Sequence, residues 1–229
     1  MLLQDLPEKT FTARRKIGIG IRGTYDLCGK LQLHIGLLYI NEERKEQGYL
    51  CHLCEDMCLE NEPIPSGEYY WLTTSIDEED SFAVVSFCNA VCDPTKNFPG
   101  IPFGFSFRTG LFNPDGVWDG EIGEGLTCAS FVLAILHQLK IEILQTSCWL
   151  KKPSEDKEND DLWKEYIYGH YKKQYGSERA AQLRIGDNSP RFRPEEVASG
   201  AHSDERPLDY DSAKKLGSLI RSEILARFG

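Results

Sequence analysis

The stretch LQLHIGLLYI, residues 31–40, is apolar, aromatic and β-branched enough to be a buried strand. Side chains alternate along a strand, so His34 shares a face with Gln32, Gly36 and Leu38, while Leu33, Ile35 and Leu37 take the other. The charged NEERKEQG that follows turns the chain, and YLCHLCEDMCL, residues 49–59, returns as a second strand. Together they read as an antiparallel hairpin with a loop of about eight residues. In the second strand His52 lies with Leu50, and Cys51 and Leu53 lie opposite. Directly opposed residues stand about 4.5–5.5 Å apart at Cβ. A register that brings His34 near His52 would therefore put two imidazoles within hydrogen-bond reach.

Outward from this hairpin, KIGIGIRGTYDL (16–27), GEYYWLTTSI (67–76) and SFAVVSFCNAV (81–91) are expected to add strands, the last two around an acidic solvated turn at Asp77 to Asp80. A loop rich in Gly, Pro and Phe then runs from Cys92 to Gly125, and loops of such length are commonly functional. It leads into an apolar helix beginning near Thr127. After Lys151 the composition turns charged. An amphipathic helix with Leu162, Tyr166 and Ile167 inward is expected within residues 162–185, an irregular stretch over 186–207, and a closing helix from near Asp211 or Ser212. The fold class is α+β: an antiparallel sheet packed on a central helix, with extra C-terminal helices. Residues 1–150 are expected to form the core, and 151–229 a helical extension packed on it rather than an independent domain.

The chain has 229 residues, a formal net charge of −10 and 41% hydrophobic residues. That is enough to build a real core, and the acidic balance argues against a general nucleic-acid binder, which needs basic surface. No apolar run approaches the roughly 20 residues of a membrane span, and the charged start does not read as a signal peptide. These readings lead to an expected soluble, cytoplasmic protein of undetermined oligomeric state. Eight cysteines in such a compartment are expected to be thiols, used for packing, metal binding or catalysis.

One of them, Cys128 in GEGLTCASFVLAIL (123–136), stands where the glycine-rich turn meets the central helix. Thr127 is a good N-cap, and a thiol in a first helical turn feels the positive end of the helix dipole, which favours the thiolate. The free N–H groups of Cys128 and Ala129 would be available to a developing oxyanion. If the helix packs on the histidine face of the hairpin, Cys128 with a strand histidine as base would have the minimum arrangement of an activated nucleophile.

HIGLLYI, a hairpin, and a later GLTCASFV together resemble the circularly permuted papain-like superfamily. That group includes permuted NlpC-type amidases and the lecithin–retinol acyltransferase family. The resemblance covers roughly residues 15 to 140. It implies Cys128 as nucleophile, His34 as general base and His52 as the partner that orients it. It implies a cysteine peptidase or amidase that attacks an amide or isopeptide carbonyl through a thioester, without a cofactor. Peptides, protein conjugates or acyl compounds would be its substrates, and a lipid or acyl ester would make it a thioesterase or acyltransferase. From the residues alone, Glu55, Asp56 or a group from the long loop could orient His34 in place of His52.

A different reading is a non-catalytic interaction module stabilised by zinc, with Cys51 and Cys54 joined by Cys88 and Cys92 as the ligand set. Arg108 is a candidate for binding a substrate carboxylate. Gly123 and Gly125 would leave room for a substrate backbone, and His170 and His202 are expected to face solvent.

Overall fold

The computed structural model describes residues 4–5, 17–25, 31–41, 47–64, 69–93, 95–97, 100–151, 157–183 and 190–228. Among these residues six strands form one antiparallel sheet: β1 (Gln4–Asp5), β2 (Ile17–Tyr25), β3 (Leu31–Asn41), β4 (Gln47–Glu55), β5 (Cys58–Pro63) and β6 (Tyr70–Thr73), in spatial order β1-β6-β2-β3-β4-β5. Among the described residues six α-helices accompany it: α1 (Glu78–Val91), α2 (Cys128–Gln138), α3 (Lys157–Tyr175), α4 (Ser177–Ala180), α5 (Pro194–His202) and α6 (Tyr210–Phe228). The turn of the β3–β4 hairpin falls largely on residues outside those described.

The sheet has two unlike faces. Ile17, Ile19 and Ile21 of β2, Ile35 and Leu37 of β3, and Cys51 and Leu53 of β4 are fully buried on one of them, in a core shared with the helices. On the other face Leu38, Leu50, Tyr69 and Trp71 form a smaller cluster. The repeat IGIGI in β2 produces this asymmetry, with isoleucines toward the helices and glycines opposite. Helix α2 is buried from Ala129 through Leu136, so it is apolar all round, as a helix at the centre of a domain must be. Its start is fixed by Thr127, whose hydroxyl accepts from the Ser130 N–H while the Ser130 hydroxyl accepts from the Thr127 N–H.

Three expectations fail here: the second strand, expected over 49–59, breaks at the Asp56–Met57 turn into β4 and β5. SFAVVSFCNAV is not a strand but most of α1. Asp77 accepts from the Asp80 N–H as N-cap, and Glu78, Glu79 and Asp80 fill the first turn, where the helix dipole favours them. The acidic run is thus a helix start, and Ser81, Val84, Cys88 and Val91 recur at helical spacing on the buried side. The stretch 186–207 is not irregular throughout: α5 lies in it, begun by Pro194, with Val197, Ala198 and Ala201 fully buried. Small side chains let α5 approach the sheet closely, and it shares the main core with α2 and with Ala213, Ile220 and Ile224 of α6.

Candidate functional site

The β3–β4 ladder runs from Asn41↔Gln47 to Leu37↔Cys51 and goes no further, whereas β2 stays paired with β3 down to Tyr25↔Leu31. Below Leu37 and Cys51 the two strands part, and a cavity of about 710 Å³ opens there. Leu33, His34, Leu53 and Cys54 line it from the sheet, Phe103 and Phe105 from the long loop, Cys128 and Ala129 from α2, Trp163, Tyr166 and Ile167 from α3, and Arg191 and Phe192 from the approach to α5.

His34 and His52 meet directly. Nε2 of His34 lies 2.7 Å from Nδ1 of His52, with the rings edge to face. Gly36 makes this possible: a Cβ there would fall 2.8 Å from the His52 Cβ, 2.7 Å from Leu50 Cδ1 and 3.0 Å from the Cys51 carbonyl oxygen. Beyond His52 the contacts continue to β5. Its Nε2 is 3.2 Å from Oε1 of Glu62 and 3.6 Å from Oε2 of Glu60. Glu60 is the register partner of His52, and Glu62 follows on the same face. The sequence reading missed both carboxylates, although alternation along CLENE would have placed them on one face.

The polarity of this chain fixes tautomers. A carboxylate accepts and does not donate, so Nε2 of His52 carries the ring proton and Nδ1 accepts. Nε2 of His34 then carries its proton, which leaves Nδ1 of His34 as the basic nitrogen. Both rings are held neutral. Burial lowers His52 to about 4, against the opposing pull of Glu60, and Arg22 lowers it further. Burial, then His52 and Arg22, push His34 well below the usual histidine range.

Cys128 opens α2 and lines the same cavity. Helix α2 packs not on the histidine face, as expected, but on the opposite one, with Ile35, Leu37 and Leu53, so the thiol approaches β3 where the strands part. There the backbone N–H of Ile35, the residue after His34, reaches its sulfur. Burial nevertheless raises the thiol pKa, and the N–H groups of Ile35 and Ala129 and the charge of Arg191 only partly offset it. A free thiolate favoured by the helix dipole was the expectation, and desolvation overrides it.

Several other residues take places that differ from those expected. Arg108 is clamped by Glu124, with Nε to Oε1 and Nη2 to Oε2 both 2.9 Å, and it also donates to the carbonyls of Thr109, Gly110 and Asp119. It organises the long loop. Gly125 is packed against backbone, its missing Cβ 2.5 Å from the Pro102 carbonyl oxygen, and a Cβ on Gly123 would fall 1.8 Å from that of Gln182. These glycines make room for the protein's own chain. His170 does not simply face solvent: it lies 3.1 Å from Asp56, a carboxylate that also accepts from the Phe103 N–H and ties the β4–β5 turn, the long loop and α3 together. His202 is bonded to the Thr73 carbonyl. Of α3, Ile167 is buried, whereas Leu162 and Tyr166 stay over a third exposed at the cavity.

The four cysteines of the zinc reading are not gathered. Cys51 points into the core, its sulfur 3.2 Å from that of Cys92, and its S–H, hydrogen-bonded to Cys88 and Cys92 and buried, is held protonated, its pKa raised. Cys54 projects from the other face and is bonded to Cys58 as a disulfide, where free thiols were expected. A two-residue turn at Asp56 and Met57 brings that pair together, Met57 taking a φ of 59°.

No protein-family model, curated protein or solved structure matches this chain.

Arg191 went unremarked in the sequence, and it is a wall of the cavity. It pairs with buried Asp160, reaches Oε1 of Gln32 at 3.4 Å and lies over the Trp163 ring. No pattern in RFRP distinguishes it from a surface arginine; only the return of α5 to the sheet buries it. Among the described residues no helix is long and apolar enough to cross a membrane.

Proposed function

We propose that this protein is a cysteine-dependent hydrolase that cleaves an amide or isopeptide bond through a thioester on Cys128. The observation that carries the reading is the shared cavity of Cys128 and His34, with the Ile35 N–H on the sulfur and a His34–His52–Glu62 chain that leaves His34 Nδ1 basic. The thiol rests in its neutral form. As it attacks the carbonyl carbon, His34 takes its proton, and charge gathers on the carbonyl oxygen. The backbone N–H groups at the start of α2, which face the sulfur, would receive that charge. The proton on His34 passes to the leaving nitrogen, and water, deprotonated by the same ring, hydrolyses the thioester. His52 keeps the ring oriented and spreads the charge toward Glu62.

A closely related reading, thioesterase or acyl transfer, is favoured by the cavity's apolar wall of Leu53, Phe103, Phe105 and Phe192, which suits an acyl chain. A panel of chromogenic anilides and acyl thioesters of graded chain length separates the two. Turnover is expected in the wild type and not in Cys128→Ala. Because His34 works in its neutral form and its pKa is held low, the rate should stay level through neutral pH and fall only when acid protonates that ring. Undiminished turnover in folded Cys128→Ala would overturn both readings.

A further inference from the structure

We infer that the β4–β5 hairpin binds a divalent transition-metal ion of the zinc class through Nε2 of His52 and the carboxylates of Glu60 and Glu62. The three donor atoms lie within 4.8 Å of one another. Zinc holds nitrogen and carboxylate oxygen at about 2.0–2.2 Å in a tetrahedron, which sets neighbouring donors about 3.3–3.6 Å apart. The distances from His52 Nε2, 3.2 Å to Glu62 and 3.6 Å to Glu60, lie close to that spacing, and the two carboxylates come within 4.8 Å of each other.

The rest of the surroundings suits an ion as well. The backbone fixes the donors, since His52 and Glu60 are register partners on paired strands and Glu62 shares their face. The His52 side chain is 3% exposed, while those of Glu60 and Glu62 are 46% and 39% exposed. The imidazole is therefore held in place, and the carboxylates leave a path for entry and a coordination position open to water. His34 on Nδ1 of His52 supplies the outer contact that metal-binding histidines usually have. An imidazole among the donors favours zinc and its neighbours over calcium or magnesium, which take all-oxygen sets. Arg22 is the cation that acts on His52, and its charge opposes binding. The two carboxylates oppose that charge.

Binding would reverse the tautomer chain. The metal takes the lone pair of Nε2 and displaces its proton to solvent. The proton on Nε2 of His34 crosses the 2.7 Å hydrogen bond to Nδ1 of His52. His34 takes up a proton at Nδ1, so both rings stay neutral and the number of ring protons is unchanged. On the hydrolase reading, that proton occupies the nitrogen that serves as base, and the ion switches the enzyme off. This consequence rests on the proposed function, whereas the metal site does not.

The test uses full-length Cys128→Ala protein, which removes the free thiol that lines the cavity, with the disulfide intact. Cobalt(II) is titrated and read by its visible absorption, then displaced with zinc. One ion per chain is expected, with affinity falling about tenfold or more in Glu60→Gln/Glu62→Gln. These two side chains are partly exposed, so the double variant should fold, and circular dichroism checks it. An absence of saturable binding, or equal affinity in the double variant, would overturn the site. In the wild type, zinc should suppress turnover and a chelator restore it. Metal binding without any hydrolysis would overturn the enzyme reading alone, and hydrolysis without metal binding would overturn the metal site alone.

Discussion

On the face of the sheet that α2 covers, Ile19, Ile35, Leu37 and Leu53 are fully buried against apolar helix side chains. On the other face His34 and His52 are nearly as buried, at 8% and 2% exposure, yet they meet each other, Tyr69 and two carboxylates. The same strands carry both faces, because successive side chains alternate. One face is held by volume and tolerates only changes that keep it filled. The other is held by a directed chain of hydrogen bonds, in which each group has one workable protonation state. The helix face should answer to mutation through stability, and the histidine face through activity.

The largest effect should come from the histidine face. His34→Gln should lower the hydrolytic rate about 10²–10⁴-fold, the usual worth of a general base, while the urea midpoint moves little. A parallel collapse of stability would erase the distinction between the faces. On the helix side, Phe131→Ala should cost about 3–5 kcal/mol in chemical unfolding, since the ring is fully buried in the core. The residual folded fraction should keep a normal rate per folded molecule.

Gly36→Ala probes the boundary. The new methyl would press on Leu50 and His52, so a cost of about 1–3 kcal/mol is expected, together with a loss of rate larger than His52-independent packing would give. An unchanged rate would mean that the His34–His52 contact is not needed. The smallest effect concerns a buried acid behind α2. Burial raises the pKa of Glu196, although the Arg193 N–H and Trp149 Nε1–H both donate to it. The native state thus keeps a proton that the unfolded chain releases, and stability falls as pH rises from the ordinary carboxyl range through the raised value. Glu196→Gln, which keeps an acceptor for both donors, should remove that decline in a series of thermal melts. Identical pH slopes for the two proteins would contradict it.

Strands β2, β3 and β4 were legible because their alternation has the period of a strand and no strong competing signal. Helix α2 was legible because Thr127 caps an uninterrupted apolar run. Helix α1 was not, since Phe82, Val84, Val85 and Phe87 favour strands locally, and the deciding signals were the cap at Asp77 and the match of Val84, Cys88 and Val91 to one buried side. Helix α5 was hidden by its small residues, whose burial depends on packing against distant strands. The two histidines could be paired from sequence because they are neighbours across one hairpin. The parting of β3 from β4, the face on which α2 packs, and the arrival of Arg191 depend on contacts between residues far apart in the chain, which no local pattern encodes.

A thioester on Cys128 is the direct mark of the proposed hydrolase. Wild-type protein mixed with an activated acyl thioester, quenched in acid during the first turnover and mapped by peptide mass spectrometry, should carry the acyl mass on the peptide that contains Cys128. His34→Gln should acylate slowly at that same residue. Acylation of another cysteine, or turnover that proceeds with no acyl mass on Cys128, would contradict it.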